Sequence, residues 1–292
     1  MAQITAAMVK QLREMTDSPM MECKKALVEA EGDMDAAVDI LRKNGLAAAA
    51  KKAGRDTNEG AVAAFVAADG RSGALAEVAC ETDFVGSNPK FTGFAAKVAE
   101  VALNTEPADV EALLAADMDG ETVQEALTEM IHVIGENMKV SRFAVRKPAA
   151  GAVSSYIHMG GKIGVLVEFA FEKPETAESE AFKTFAHDVA MQVAATAPIS
   201  AVREDVPQAT IDHEIEIYKA QAAESGKPEA IQEKMAHGRL EKFFKGFVLT
   251  EQEFIKDSNM TIRQYAEKVS KEVGDTVTIV AFDRLVCGES AA

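Results

Sequence analysis

An internal repeat constrains the fold of this 292-residue chain more than any other feature of its sequence. Residues 59 to 107 align without a gap on residues 150 to 198 at a constant offset of 91 (151 minus 60), and about a third of the positions are identical. Two long copies are typical of a duplicated subdomain, because repeat arrays contain more and shorter copies. We therefore expect one supersecondary unit to occur twice. The identical pairs include Gly60 and Gly151, Glu77 and Glu168, Phe91 and Phe182, and Pro107 and Pro198.

Each copy begins with two runs of β-forming residues that are joined by a glycine turn. Helical spacing of apolar residues then starts at Phe91 in the first copy and at Phe182 in the second. A later alternating run supplies a third strand to each copy. The sequence therefore predicts two antiparallel three-stranded sheets backed by helices. The predicted strands are residues 61–68, 74–81 and 140–146, and then 153–158, 163–171 and 276–286.

Capping residues and apolar stripes predict a three-helix module at the start of the chain. Thr5 is expected to cap the first helix, Asp17-Ser18-Pro19 the second and Asp33 the third. Gly45 is expected to end the third helix. A separate connecting helix over residues 46–54 and a polar linker over residues 55–60 are then expected.

A helical hairpin is predicted between the helix and the last strand of the second copy. Ile211, Ile215, Tyr218 and Ala222 step by four, three and four residues, which is typical of a helix. Ser225-Gly226-Lys227-Pro228 breaks that helix, and a return helix follows. At about 1.5 Å per residue the hairpin would project roughly 20 to 25 Å.

Together these elements predict an α+β fold with four parts. The predicted parts are a three-helix domain (1–55), a first core subdomain (56–147), a second core subdomain (148–200 and 246–292) and a helical hairpin inserted into the second subdomain (201–245).

Charge and composition exclude several classes of function. The formal net charge of −16 opposes direct binding of nucleic acid, because phosphates would be repelled. No apolar run is long enough to span a membrane, and the first residues lack the basic and apolar regions of a signal peptide, so we expect a cytoplasmic protein. The chain has an odd number of cysteines, which are far apart and form no Cys-x-x-Cys motif: Cys23, Cys80 and Cys287. We expect all three to be reduced thiols with packing roles.

The sequence contains none of the catalytic patterns that we sought. His213-Glu214 begins like a zinc-protease helix, but Ile217 stands where the second histidine is required. Gly160-Gly161-Lys162 lacks the spacing of a phosphate loop and is expected to be a hairpin turn. The five histidines show no ligand spacing. We therefore expect no enzyme, no metal and no cofactor, which leaves protein recognition.

The two copies differ where the second strand ends. The first copy continues as Glu81-Thr82-Asp83-Phe84-Val85, whereas the second continues as Glu172-Lys173-Pro174-Glu175-Thr176. Phe84 can either lie exposed, where a partner could recover the roughly 1.5 to 3 kcal/mol of burying its ring, or fold under its own turn. Both interpretations remain open from the residues alone. We call residues 82–85 the tip.

Several segments together resemble the bacterial elongation factor Ts family, the guanine-nucleotide exchange factors of elongation factor Tu. They occur in order along nearly the whole chain, and the tip motif beside the N-terminal signature is highly specific. The matching segments are Ile4-Thr5, residues 20–27, residues 49–54, Glu81-Thr82-Asp83-Phe84-Val85, Ile134-Gly135-Glu136-Asn137, Ser155-Tyr156-Ile157-His158, Ser225-Gly226-Lys227-Pro228 and Glu233-Lys234-Met235.

The resemblance implies a role for each of these features. It implies that the three-helix module has a ubiquitin-associated-like fold and docks on the nucleotide-binding domain of elongation factor Tu, in its GDP-bound and nucleotide-free states. The tip, with Asp83 and Phe84 foremost, would enter that domain and shift the elements that hold magnesium and the phosphate loop, so that GDP leaves and GTP rebinds. The other partner contacts that the resemblance implies are Met20, Met21, Ile134, Gly135, Asn137 and His158.

Alternatives remain for these contacts and for the function. Met20 and Met21 could pack the turn between two helices, Ile134 and Gly135 could be an ordinary helix end, and His158 could be a surface histidine. The placement of His158 also depends on the turn that follows it, which is looser than a minimal hairpin turn. The alternative function is a protein adaptor that uses the three-helix module and the hairpin without affecting nucleotide release.

Overall fold

Two sheets of three antiparallel strands form the centre of the computed structural model, which describes residues 4–224, 226 and 228–289. Helices surround both sheets, so the predicted α+β class is confirmed. The predicted hairpin turn falls partly on Ser225 and Lys227, which lie outside the described residues. Among the described residues, no helix combines the length and the apolar character needed to cross a membrane.

Three helices begin the described chain: α1 (Ala6–Thr16), α2 (Met20–Glu29) and α3 (Met34–Lys52). Thr5 caps α1 and Asp33 caps α3, as the sequence predicts. Asp17 does not cap α2. It ends α1 in the left-handed conformation, with φ of 51°, and its backbone N–H donates to the carbonyl of Arg13. Leu12, Leu27 and Leu41 lie in the apolar core of the three helices.

The prediction that Gly45 ends the third helix is wrong, because α3 continues through Gly45 to Lys52. Gly45 is buried against a later helix, and a Cβ at this position would lie 3.5 Å from the Cβ of His132. The small residue lets the two helices approach closely. Tertiary packing therefore keeps helical a position that local propensity disfavours.

The first sheet belongs to the first copy of the repeat and has the order β1-β2-β5. Its helices pack on one face, around Phe91, Val98 and Leu113. The elements of this copy are β1 (Glu59–Val66), β2 (Gly73–Cys80), α4 (Asp83–Gly86), α5 (Pro89–Thr105), α6 (Val110–Ala115), the short pair β3 (Asp117–Met118) and β4 (Glu121–Thr122), α7 (Val123–Ile134) and β5 (Met138–Arg146).

The second sheet has the order β10-β7-β6 and covers a separate aromatic core that includes Phe169 and Phe185. Its elements are β6 (Ala152–His158), β7 (Ile163–Ala170), α8 (Glu180–Thr196), β8 (Glu253–Phe254), β9 (Asp257–Thr261), α11 (Ile262–Val273) and β10 (Thr278–Val286). Between α8 and β8 the chain forms α9 (Gln208–Ala223) and α10 (Glu229–Phe247), which pack together through an apolar cluster that includes Phe243 and Phe244.

The duplication extends well beyond the segment in which the two copies share sequence. Helices α5 and α8 are both 17 residues long and end in the same left-handed geometry, with φ of 45° and ψ of 56°. Helices α7 and α11 are both 12 residues long, and each begins with a capping box, at Thr122 and Thr261. This second pair follows an offset of 139 (261 minus 122). Residues 122–146 are therefore the structural counterpart of residues 261–285.

The two sheets pack against each other through a small apolar cluster. Val62, Leu75, Val153 and Leu166 form this cluster together with Leu285. Glycines face it from both copies, since a Cβ at Gly73 would lie 3.1 Å from side-chain carbons of Val153 and Leu166. Close packing of the sheets therefore depends on small residues that the repeat conserves between its copies.

Candidate functional site

The backbone after strand β2 is held by one carboxylate, that of Glu136. Its Oε2 accepts the backbone N–H groups of Glu81 at 3.2 Å and of Thr82 at 3.1 Å, and its Oε1 accepts the Thr82 hydroxyl at 2.7 Å. Glu136 follows helix α7 by two residues, after the left-handed Gly135. These bonds join two segments that are 54 residues apart and place the tip at the end of the central strand.

The tip itself is a single helical turn, α4, whose inner residues are fixed. Thr82 caps the turn by accepting the N–H of Val85 at 3.4 Å. Val85 is buried in the core of the first copy. Gly86 lies directly over strand β1, because a Cβ there would come within 2.9 Å of the carbonyl oxygen of Gly60. The backbone on both sides of Phe84 is therefore anchored to the sheet.

Phe84 points away from this anchored turn, and its ring is 83 % exposed. The interpretation in which Phe84 folds under its own turn is therefore wrong. Asp83 beside it is also exposed. The Ser87 hydroxyl donates to the carbonyls of Asp83 and Phe84, at 3.0 and 3.2 Å, which ends the turn. An apolar ring held out on a fixed backbone is an unusual arrangement for a water-facing residue and is typical of a contact site.

The second copy contains a comparable turn at the position of the tip. Residues Pro174–Glu178 form it, and Asp275, the counterpart of Glu136, accepts the N–H groups of Glu172 at 3.3 Å and of Lys173 at 2.8 Å. The tip is therefore a variant of a turn that both copies contain. The two copies share the backbone anchor and differ in the exposed side chain, which is Phe84 in the first copy and Glu175 in the second.

Asn137 lies inside the protein, and this corrects its predicted role as a partner contact. The residue is only 7 % exposed, and its side-chain amide donates to the carbonyl of Arg55 at 2.8 Å. Its backbone N–H donates to the Glu81 carboxylate at 2.6 Å, and this bond is the main reason why the pKa of Glu81 is lowered. Asn137 therefore fastens the end of the N-terminal helices to the base of the tip.

Met20 and Met21 begin helix α2 and are more than half exposed, at 53 % and 62 %. More than half of each residue therefore faces solvent and is open to a partner. Ile134 is partly buried against the core of the first copy, and Gly135 ends α7 with φ of 90°. Both residues therefore contribute to the end of helix α7: Ile134 packs against the core and Gly135 provides the left-handed turn. Gly135 is also exposed.

His158 ends the edge strand β6 and is exposed. Its Nδ1 lies 3.2 Å from the Tyr156 hydroxyl, and the two rings stack with centroids 5.8 Å apart. Ile157 and Met159 on either side are exposed as well, Met159 at 70 %. His158 is thus held in a fixed orientation within a small exposed apolar patch on the second sheet.

Sequence reasoning missed two contributors to these surfaces. Glu136 is the anchor of the tip, and the available signal was its place in the Ile134-Gly135-Glu136-Asn137 segment together with the matching Asp275. Met159 follows His158 directly, and its φ of 50° turns the chain sharply after the strand. The sequence signal for Glu136 becomes meaningful only when the structure shows that the end of α7 lies beside the end of β2.

The cysteines do not form a reactive site. Cys23 and Cys80 are buried, Cys287 is partly buried, and all three are free thiols. Burial raises the pKa of Cys80 to about 12 and that of Cys287 to about 11. Thiols with such high pKa values are protonated at neutral pH and are poor nucleophiles.

Comparison with known proteins gives a consistent result over nearly the whole chain. The family model described as Elongation factor TS matches residues 81–289. Elongation factor Ts of Trichlorobacter lovleyi is 48 % identical over 289 residues, and that of Clostridium perfringens is 50 % identical over 287 residues. Each alignment covers 98 % of this chain and 93 % of the relative. The N-terminal helices lie outside the family model but inside these alignments.

Proposed function

Because the chain belongs to the elongation factor Ts family of translation elongation factors, we propose that it binds elongation factor Tu and accelerates the release of GDP through its tip. The observation that supports this most directly is the Phe84 ring, 83 % exposed on a backbone that Glu136 and Val85 hold in place. The exchange requires no covalent chemistry and no cofactor of this chain. Both GDP-bound and nucleotide-free elongation factor Tu are partners.

In this mechanism the tip acts as a wedge. Asp83 and Phe84 enter between helices of the partner's nucleotide-binding domain and displace the elements that hold magnesium and the phosphate loop. Burying the Phe84 ring in the partner returns roughly 1.5 to 3 kcal/mol that the free protein forgoes. Thr82 and Val85 do not need to touch the partner strongly, since their part is to keep the turn rigid. A preformed wedge loses little conformational entropy on binding.

The energetics require further contacts. If binding of this chain weakens the affinity of elongation factor Tu for nucleotide by some factor, bound nucleotide weakens the affinity of elongation factor Tu for this chain by the same factor. A nanomolar nucleotide complex corresponds to about 12 kcal/mol, and each tenfold loosening needs about 1.4 kcal/mol of differential contact. One ring cannot supply several such steps. We assign the remaining contacts to Met20 and Met21, to Ile134 and Gly135, and to the patch around His158.

The proposed organisation follows the same division of tasks. Residues 1–55 form a ubiquitin-associated-like domain that docks on the nucleotide-binding domain, and residues 56–147 carry the tip. Residues 148–200 and 246–292 form the second core subdomain, which contacts another domain of the partner, and residues 201–245 form the inserted hairpin. The protein acts in the cytoplasm, where its partner is found.

Replacing Phe84 by alanine tests the proposal. We expect F84A to slow release of a fluorescent GDP analogue from elongation factor Tu by about ten- to a hundredfold, which corresponds to losing the burial of one ring. The free energy of unfolding should stay within about 0.5 kcal/mol of the original, because the ring is exposed. Stopped-flow fluorescence measures release, and urea unfolding followed by circular dichroism measures stability.

The duplication supplies a matched control. Glu175 occupies the position of Phe84 in the second copy and is also exposed, so E175A should leave release unchanged. Normal release with F84A contradicts the role given to Phe84. If the unaltered protein binds elongation factor Tu without accelerating release, the adaptor function replaces the exchange function.

A further inference from the structure

The outer face of helix α7 is covered by helix α3 in the first copy. Gly45 of α3 lies against Thr128 and His132, both of which are buried. Lys52 donates to the carbonyl of Ile131 at 3.4 Å. Just beyond the helix, Arg55 pairs with Glu81 at 3.2 Å. The first copy therefore holds a helix in a groove that α7 and the end of strand β2 form together.

The second copy has the corresponding groove, and it is open. It measures about 680 Å³ and lies along α11, between that helix and the start of β10. Five counterparts of residues that α3 and its end contact in the first copy line it, at offsets of 139 and 91: Glu267 for Thr128, Ser270 for Ile131, Lys271 for His132, Thr276 for Asn137 and Glu172 for Glu81. We call this the α11 groove.

Exposure differs sharply between the two grooves. Thr128, His132 and Asn137 are each at most 8 % exposed, whereas Glu267, Lys271 and Thr276 are exposed. Thr250, which also lines the α11 groove, is buried, and its hydroxyl has no hydrogen-bond partner among the described residues. An unpaired buried hydroxyl is costly, and a polar group on a docked helix can satisfy it.

The charges indicate what kind of helix fits. In the first copy Arg42 of α3 attracts three acidic residues at or beside α7: Glu121, Glu125 and Glu129. Their counterparts in the second copy are Met260, Gln264 and Lys268. Arg263 and Lys271 add two exposed cations that have no ion-pair partner among the described residues. At the far end, Glu172 keeps the negative charge that Glu81 uses to bind Arg55.

We propose that the α11 groove binds an amphipathic helix of another protein, in the orientation that α3 adopts on α7. That helix carries a small residue where it crosses Glu267 and Lys271, because Gly45 occupies this crossing in the first copy. It carries acidic residues opposite Lys268 and Lys271, and a basic residue at its C-terminal end opposite Glu172. Helix binding in a groove of this kind combines apolar contact with charge pairs that select the partner.

A peptide derived from this chain provides the probe. It comprises residues 34–55 with R42E and A48E, which place glutamates where Lys268 and Lys271 would face them and keep Gly45 and Arg55. The peptide is titrated into the full-length protein, labelled with ¹⁵N and deuterated, and amide chemical shifts are recorded. We expect the largest changes along α11 and at Glu172.

Charge reversal in the groove tests the specificity. K268E/K271E should weaken binding of the acidic peptide at least about tenfold and should strengthen binding of the unaltered 34–55 peptide. K43E/R71E is the matched control, because it changes the same charge at two exposed residues outside the groove. This control should bind the acidic peptide like the original protein.

Three results overturn the proposal. The first is an absence of shift changes on α11 with millimolar peptide. The second is equal binding of the peptide to all protein variants. The third is self-association of the full-length chain in sedimentation experiments that K268E/K271E abolishes, because the occupant would then be a second copy of this chain. None of these readouts depends on nucleotide exchange.

Discussion

Removing the Glu136 carboxylate is expected to loosen the backbone of the tip without changing the Phe84 side chain itself. E136A deletes three hydrogen bonds, from the Glu81 N–H, the Thr82 N–H and the Thr82 hydroxyl. Bonds to a charged group contribute about 1.5 to 3 kcal/mol each when buried, but water can reach this partly exposed site. Taking about 1 kcal/mol for each, we expect the free energy of unfolding to fall by about 3 kcal/mol.

The functional effect should exceed what the loss of stability explains. Under conditions in which E136A remains folded, we expect it to accelerate GDP release about tenfold less than the original protein, because a wedge that moves no longer delivers its full binding energy. E136Q keeps one carbonyl acceptor and should lie between the two. Stopped-flow release of a fluorescent GDP analogue measures the effect, and circular dichroism monitors folding, since the chain contains no tryptophan.

Asp275 gives this prediction its control. It accepts the same two N–H groups in the second copy and the Thr176 hydroxyl at 2.8 Å, so D275A removes an equivalent anchor that carries no phenylalanine. We expect D275A to lower stability and leave exchange unchanged. Normal exchange by E136A refutes the reasoning, and so does an equal loss of exchange by D275A, which would point to general destabilisation.

Three further substitutions test features that the sequence did not reveal. Burial raises the pKa of Glu129, and one of its oxygens has no partner among the described residues. The contribution of Glu129 to native stability should therefore be greatest below the ordinary carboxyl pKa of about 4.5 and should fall as the pH rises through the raised value. E129Q should therefore stabilise the protein at pH 7.5, by about 1 kcal/mol, and have no effect at pH 4; urea unfolding at both pH values measures this, and equal effects would contradict it. G45A should stabilise by about 0.5 to 1 kcal/mol, because alanine suits a helix interior and its Cβ fits at 3.5 Å from His132. Gly60 is the contrasting position, with φ of 143° and no room beside Val78, so G60A should unfold at a lower temperature in differential scanning calorimetry; destabilisation by both would show that α3 and α7 cannot accept the methyl group.

A sequence alignment detects only one part of the duplication, namely residues 59–107 with residues 150–198, and misses the part that relates residues 122–146 to residues 261–285. Glycines with positive φ and phenylalanines in tight cores tolerate few replacements, so Gly60 and Gly151, or Phe91 and Phe182, stay identical and reveal the first half. The second half preserves its caps and its strand register, but its buried positions accept any apolar residue of suitable volume. Thr122 matches Thr261 while most other positions differ, and the relation is revealed by the equal helix lengths, the shared capping box and the equivalent strand register.

Local chemistry was therefore readable along the chain: the caps at Thr5 and Asp33, the paired strands, and the specific tip motif that carries the family resemblance. Long-range contacts settled the rest. Helix α3 continues past Gly45 because α7 packs against it, and Phe84 is exposed because Val85 enters the core while a carboxylate 54 residues from Thr82 holds the backbone. Asn137 is buried because the segment that follows α3 packs over it, and its amide donates to the carbonyl of Arg55. Helix propensity and sequence motifs depend on residues that are close in the sequence. The exposure of a side chain depends instead on whether a distant segment packs over it. Helix α3 packs over α7 in this way, whereas the equivalent groove along α11 is open.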